Sequence, residues 1–171
     1  MNLLIVRHAT AEDRLAFATS ESNDDLRPLT EQGRQRMHGA AAGLRRLLPA
    51  IDVLATSPLT RAVQTAKVLA ASFDEPPIIE VPSLAPGVGA AEVSRWLRAQ
   101  PADGTVAVVG HEPDLSSLIA WLTTGASSNG YVKLRKGGAC LLACNVPADA
   151  CKFEMQWLLT PKQLRILGGG G

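Results

Sequence analysis

The sequence predicts a three-layer α/β/α sandwich whose central sheet is mostly parallel, with an antiparallel edge. Short apolar runs alternate with helix-period segments along most of the chain, the pattern of strands joined by crossover helices. The first run, Asn2 to Val6, is continuously apolar and ends abruptly in charge, as a strand covered on both faces does. The final two runs lie close enough in sequence to form a hairpin.

The elements follow in order. Residues 9–29 are polar and weakly periodic and are read as a long loop, with room for a short helical turn. Thr30 is a plausible N-cap for a helix reaching Leu48, where Pro49 stops it. Asp52 to Thr56 is a short strand, Thr60 to Ser72 a helix, and Ile78 to Val81 another short strand. A helix near Ala90 to Gln100 precedes a strand at Thr105 to Val109. Proline then opens a helix from Pro113 to Thr123. Two strands close the set, Ala139 to Val146 and Lys152 to Leu159. In the second, Phe153, Met155, Trp157 and Leu159 alternate with Lys152, Glu154 and Gln156, the period of a strand.

At 171 residues, 46% of them hydrophobic, the chain suits one domain with a sizeable core. The domain is assigned to residues 1–167, and Gly168 to Gly171 to a flexible tail. The net charge of +1, without a basic run, gives no support to a nucleic-acid or membrane-surface partner. No stretch approaches the roughly 18 apolar residues of a membrane span. The opening MNLLIVRHAT is too short and too lightly flanked for a signal peptide. Cys140, Cys144 and Cys151 form no CxxC pair and are odd in number, so the expectation is free thiols and a cytoplasmic protein.

In open α/β folds, ligands bind beyond the carboxyl ends of the strands. Arg7-His8 follows the first strand, Ser57-Pro58-Leu59-Thr60-Arg61 the second, and Gly110-His111-Glu112-Pro113 the strand at Thr105 to Val109. Of three histidines, two therefore end strands on one face; His38 falls mid-helix and reads as a surface residue. Gly110-His111-Glu112 begins like a zinc HExxH motif, but position 115 is Leu, so no metal is assigned.

These residues suit phosphoryl chemistry. A phosphoryl group carries nearly two negative charges, and arginine offers it a permanent charge and a planar fork of donors. Arg7 and Arg61 can clamp it from two sides, with N–H groups near Pro113 and Asp114 adding a helix N-terminus. A neutral His8 has one ring nitrogen for in-line attack, provided the other donates to a backbone carbonyl. Gly33 falls inside a helix at a cost of roughly 1 kcal/mol against alanine, which close packing beneath the pocket explains. Asp24-Asp25 reads first as loop solvation, and Arg34, Arg36, Arg45 and Arg46 as a solvated helix face.

The segments R-H-A at Arg7 to Ala9, S-P-L-x-R-A-x-Q-T-A at Ser57 to Ala66 and V-G-H-E-P at Val109 to Pro113 resemble the histidine phosphatase superfamily, to which phosphoglycerate mutases belong. L-R-P-L-T-x-x-G at Leu26 to Gly33 is similar to the short, SixA-like phosphohistidine phosphatase branch. The resemblance implies a phosphoglycerate mutase-like fold and a metal-independent phosphatase without cofactor. It makes His8 the phosphate acceptor, has Arg7 and Arg61 bind the phosphoryl group, and has His111 stabilise the transferring oxygens, with Ser57 contributing to the pocket. Water then releases inorganic phosphate.

Mutase-type members carry a glutamate general acid between the second and third motifs, where this chain reads Val81-Pro82-Ser83-Leu84-Ala85-Pro86-Gly87. An alkoxide leaving group needs a proton donor, whereas the imidazole of a phosphoramidate leaves already protonated. Glu12, Asp13, Glu80 and Glu92 are the acids that folding could bring in. Arg61 and His111 are separated by only 50 positions (111 minus 61), too few for the mutase lid, and an open mouth is expected. The favoured substrate is thus a phosphorylated protein of the histidine-phosphotransfer type. The alternatives are a small phosphorylated metabolite hydrolysed as an ester, and a non-catalytic phosphate-binding module.

Overall fold

The sheet is built in the order β3-β2-β4-β1-β5-β6. The computed structural model describes residues 1–21, 23–126, 132–144 and 153–170. β1 (Asn2–Arg7), β2 (Val53–Thr56), β3 (Ile78–Glu80) and β4 (Thr105–Gly110) run parallel. β5 (Ala139–Ala143) pairs antiparallel with both β1 and β6 (Glu154–Leu159), which forms the expected antiparallel edge. The expected extensions of these two strands to Val146 and from Lys152 fall outside the described residues.

Pleat alternation divides the core in two. Leu4, Val6, Ala107, Val109, Leu54 and Leu141 point to one face, where they meet α2 (Glu31–Leu47), α3 (Thr60–Ser72) and α6 (Pro161–Leu167). Leu3, Ile5, Val106, Val108 and Leu142 point to the other, beneath α4 (Ala90–Arg98) and α5 (Asp114–Thr124). The three-layer sandwich follows directly.

Two features go beyond the sequence reading. β6 does not keep one inward face, because a register shift between Leu141 and Leu142 interrupts its pairing with β5. A bulge of this kind exchanges the faces of a strand. Phe153 accordingly lies in the α4–α5 core, Trp157 and Leu159 pack on the α2–α3–α6 side, and Met155 is exposed. The second is α6, which the sequence reading missed. Its signals were present: Thr160 caps it reciprocally with Gln163, and Pro161 fills the first turn.

The loop expected over residues 9–29 contains α1 (Arg14–Ala18), capped by Asp13, and a 3-10 turn at Asp24–Leu26. The cysteine expectation is corrected in part. Cys140 is a free, buried thiol, but Cys144 is disulfide-bonded, so cysteine usage no longer argues for a reducing compartment. No helix among the described residues is long and apolar enough to cross a membrane.

Glycines set the closest approaches. A Cβ on Gly33 would lie 2.1 Å from the Thr10 carbonyl oxygen, so α2 packs directly under the segment that follows β1, as its helical position suggested. Gly43 approaches α6 in the same way, its Cβ falling 2.0 Å from Leu164 O. Gly168, expected within a loose tail, returns its amide to Leu164 O and sits where a side chain would strike Gly39 O. Gly43→Ala should therefore lower stability by about 1–3 kcal/mol despite its better helix propensity. Gly39→Ala, whose methyl meets only the flexible stem of Arg165 at 3.2 Å, should stay within about 1 kcal/mol of the parent. Urea denaturation of the two variants makes the comparison.

Candidate active site

The parallel register of β1 with β4 pairs Arg7 with Gly110, so His8 and His111 leave the sheet side by side. His8 N donates to Gly110 O at 3.1 Å, and the two imidazole centroids are 5.0 Å apart. β2 is one strand further along. Its Thr56 pairs with Val109, and Ser57 N donates to Val109 O. Three strand ends thus converge on a cavity of about 420 Å³ whose wall includes Arg7, His8, Arg27, Arg61, His111 and Lys136.

His8 is buried, and its Nδ1–H donates to Ala9 O at 2.7 Å. That bond fixes the tautomer and leaves the lone pair on Nε2. Burial pushes the His8 pKa down to about 3. The backbone bond to Ala9 opposes this, and the neighbouring His111, Arg61 and Arg7 add to it. His111 is pushed down to about 4, by burial first and then by Arg61 and Arg7. Both rings are therefore neutral near pH 7. The Nε2 of His111 bonds Ser57 Oγ at 2.8 Å, leaving Nδ1 as its remaining nitrogen. Ser57 is wholly buried and absent from the cavity wall, so it reaches the cavity only through His111.

The arginines are held by acids and carbonyls. Arg61 enters from the first turn of α3 and is 5% exposed; it donates to Asp24 O at 2.9 Å and pairs with Asp24 Oδ2 at 3.3 Å. Asp24 also takes Arg27 Nε at 2.8 Å and Arg14 Nε at 3.4 Å. The hydrogen bond from Arg27 holds its carboxyl below the usual range; burial opposes this, and the charges of Arg61, Arg27 and Arg14 add to the lowering. Arg7 donates to Leu134 O at 2.9 Å, and Leu134 N donates to Glu112, which also accepts from Ser116. Arg7 and Glu112 are thereby anchored on the same residue. Burial lowers the pKa of both Arg7 and Arg61 from the ordinary value, and the Nε of each is buried without a hydrogen-bond partner. Two desolvated guanidinium groups with spare donors favour an anion between them.

The remaining motif residues brace this arrangement. Thr65 Oγ1 accepts from Ala9 N, and Gln64 Oε1 accepts from Leu29 N. Arg27 Nη1 donates to Glu12 O, and Thr30 caps α2 through Gly33 N. Asp24 and Glu112 are residues of the cavity wall that the sequence reading did not assign to the site. Asp24 looked like loop solvation, and its partners are distant in sequence. Of the candidate acids, Glu12 and Asp13 line the cavity; Glu80 and Glu92 do not, and neither do Pro113 and Asp114. His38 is exposed on α2. Cys140 carries no nucleophile, since burial pushes its thiol up to about 12. No group of three or more His, Cys, Asp or Glu among the described residues could hold a metal.

A sequence profile of the histidine phosphatase superfamily (branch 1) matches residues 3–85. The phosphohistidine phosphatase SixA of Escherichia coli K12 is 31% identical over 128 residues, covering 73% of this chain and 76% of its own. The chain belongs to the histidine phosphatase superfamily, as a SixA-like member. An uncharacterised Picosynechococcus protein is 38% identical over 170 residues, 93% of this chain and 99% of that one. The solved protein histidine phosphatase SixA, complexed with tungstate, superposes with a TM-score of 0.82 at 23% identity, over 96% of this chain and 99% of its own, a likeness of fold. Membership in this superfamily supports phosphatase activity for the present chain.

This phosphatase should lose stability on acidification through its two buried histidines. Their native pKa values lie below the ordinary 6.5, so below that pH the unfolded chain takes up protons that the native state refuses. Stability should fall from about pH 6.5 toward pH 4. His8→Gln and His111→Gln should each flatten that slope in urea titrations across the window.

Proposed function

We propose that the protein is a metal-independent phosphatase that uses a covalent phosphohistidine intermediate and acts on phosphohistidine in proteins. The observation that carries the reading is the neutral His8 with Nδ1–H committed to Ala9 O and Nε2 unbonded, between two buried arginines. His8 Nε2 attacks phosphorus in line with the leaving group, the P–N bond to the substrate imidazole breaks, and His8 carries the phosphoryl group. Arg7 and Arg61 neutralise the oxygens throughout, so no metal is required. His111 donates through its free nitrogen. It gains a proton readily once a phosphate dianion enters, because the anion opposes the charges that depress its pKa. Water then attacks phosphorus and expels His8, releasing inorganic phosphate.

Two features support a protein substrate. Between Arg61 and His111, only Pro86 contributes to the cavity wall, which leaves the mouth without a lid from that connection. The relative in Escherichia coli is named a phosphohistidine phosphatase. The presence of Glu12 and Asp13 on the wall favours a second reading, hydrolysis of a small phosphate ester with one of them protonating the leaving oxygen.

Phosphate release in chelator, from a phosphohistidine peptide and from a panel of sugar and aryl phosphates, separates the two. The peptide should be preferred, and His8→Ala should cost at least about a thousandfold. Full activity in that variant removes the nucleophile assignment. Glu12→Gln should leave phosphohistidine turnover intact, because imidazole needs no external proton. A drop of about a hundredfold on one ester only, within the usual reach of general acid catalysis, would establish the ester reading.

A further inference from the structure

A second cleft, of about 380 Å³, lies beside the catalytic cavity. Its cations come from separate elements: Arg36 from α2, Arg135 and Lys136 from the turn before β5, and Lys162 and Arg165 from α6. No Asp or Glu lines it, and none of the five forms an ion pair among the described residues. In the catalytic cavity, by contrast, Asp24 and Glu112 compensate the arginines. A chain with a net charge of +1 has thus gathered five cations around one concavity that no acid lines. Their mutual repulsion is a cost that an anionic occupant would relieve.

The cleft is tied to the catalytic site. Lys136 lines both cavities. The turn that carries it is pinned to the end of β1, since Gly137 N donates to the carbonyls of both Arg7 and His8. Gly137 has a φ of +73°, a backbone conformation that glycine adopts without strain and that lets the turn lie flat there. α6 is fixed against α2 by the glycine contacts at Gly43, which set Lys162 and Arg165 across from Arg36. A ligand entering here therefore lies a fixed step from His8.

The shape and lining choose the occupant. The floor includes Met37 and Pro161, and the arginine and lysine side chains stand mostly exposed at the rim. A compact polyphosphate needs converging donors, not an apolar floor. A single-stranded nucleic acid would call for aromatic stacking platforms, and no aromatic side chain lines the cleft. Carboxylates spaced along a peptide, with aliphatic groups between them, match both the rim and the floor.

We infer that this cleft docks an acidic segment of the substrate protein, adjacent in space to the phosphorylated side chain that enters the catalytic cavity. The inference deepens the protein-substrate reading proposed above and rests on it.

The test uses Arg36→Glu combined with Lys162→Glu, both on exposed positions outside the catalytic wall. On a phosphohistidine peptide with acidic flanks, the double variant should lose about tenfold in kcat/KM through KM, with kcat kept. On free phosphohistidine, and on the same peptide with alanine flanks, it should match the parent. Equal kinetics of parent and variant on the acidic peptide would overturn the inference. So would equal losses on all three substrates. Fluorescence anisotropy of a labelled, unphosphorylated acidic peptide supplies a readout independent of turnover. Binding should weaken about tenfold in the double variant, fall with added salt, and persist in His8→Ala. Binding unaffected by the two substitutions, or inorganic pyrophosphate held in the cleft in place of the peptide, would exclude a peptide dock. If the parent binds the acidic peptide in this way but turns over no phosphohistidine, the docking surface stands and the phosphohistidine reading falls.

Discussion

The pairing of β1 with β4 is the constraint from which the site follows. Parallel strands place equivalent ends at the same edge of a sheet, and with Arg7 opposite Gly110 the next residue of each strand is a histidine. A shift of one residue would turn His8 to the opposite face and separate the rings. The register is held because both strands are buried on both faces: Leu3, Leu4, Ile5 and Val6 each fit one of two cores, as do Val106 to Val109. Packing energy distributed over the whole sheet thereby fixes the distance between two side chains at its end.

Around that pair, the protein solves an electrostatic problem. Burying Arg7 and Arg61 is costly unless each has partners, yet full pairing would leave them nothing with which to bind phosphate. Asp24 and the carbonyls of Asp24 and Leu134 satisfy part of each guanidinium, and one Nε on each remains without a partner. Burial, and after it the same positive field, keeps His8 and His111 neutral, which is the state a nucleophilic imidazole requires. The two arginines that face the cavity thus also add to the lowering of the imidazole pKa values.

The bracing is spread over the segments that carried the family resemblance. Gln64 and Thr65, one turn beyond Arg61, hold the backbones of Leu29 and Ala9, so the second motif fastens both the loop after β1 and the start of α2. Gly33 then allows α2 to lie against Thr10. Gln64, Thr65 and Leu29 line neither cavity, whereas Ala9, Thr10 and Gly33 border the second cleft, and together these contacts keep His8 and the arginines from drifting.

The sequence by itself determined the order of the main strands and helices as far as β6, the three-layer class, the antiparallel edge, and the group Arg7, His8, Arg61 and His111. Those features are local: strand periodicity, caps and the residue that follows each strand are written within a few positions of one another. Only the tertiary structure decided which acids matter. Asp24 lies 37 positions from Arg61, and Leu134 lies 127 from Arg7, so no periodicity links them. Tertiary structure likewise moved Ser57 behind His111, exchanged the faces of β6 through one bulge, and joined Cys144 in a disulfide. It also turned Arg36, read as part of a solvated helix face, into one wall of a basic cleft, because α6 packs across α2 where two glycines allow it. Local patterns specify elements, whereas the partners of a buried charge depend on which distant elements the core brings into contact.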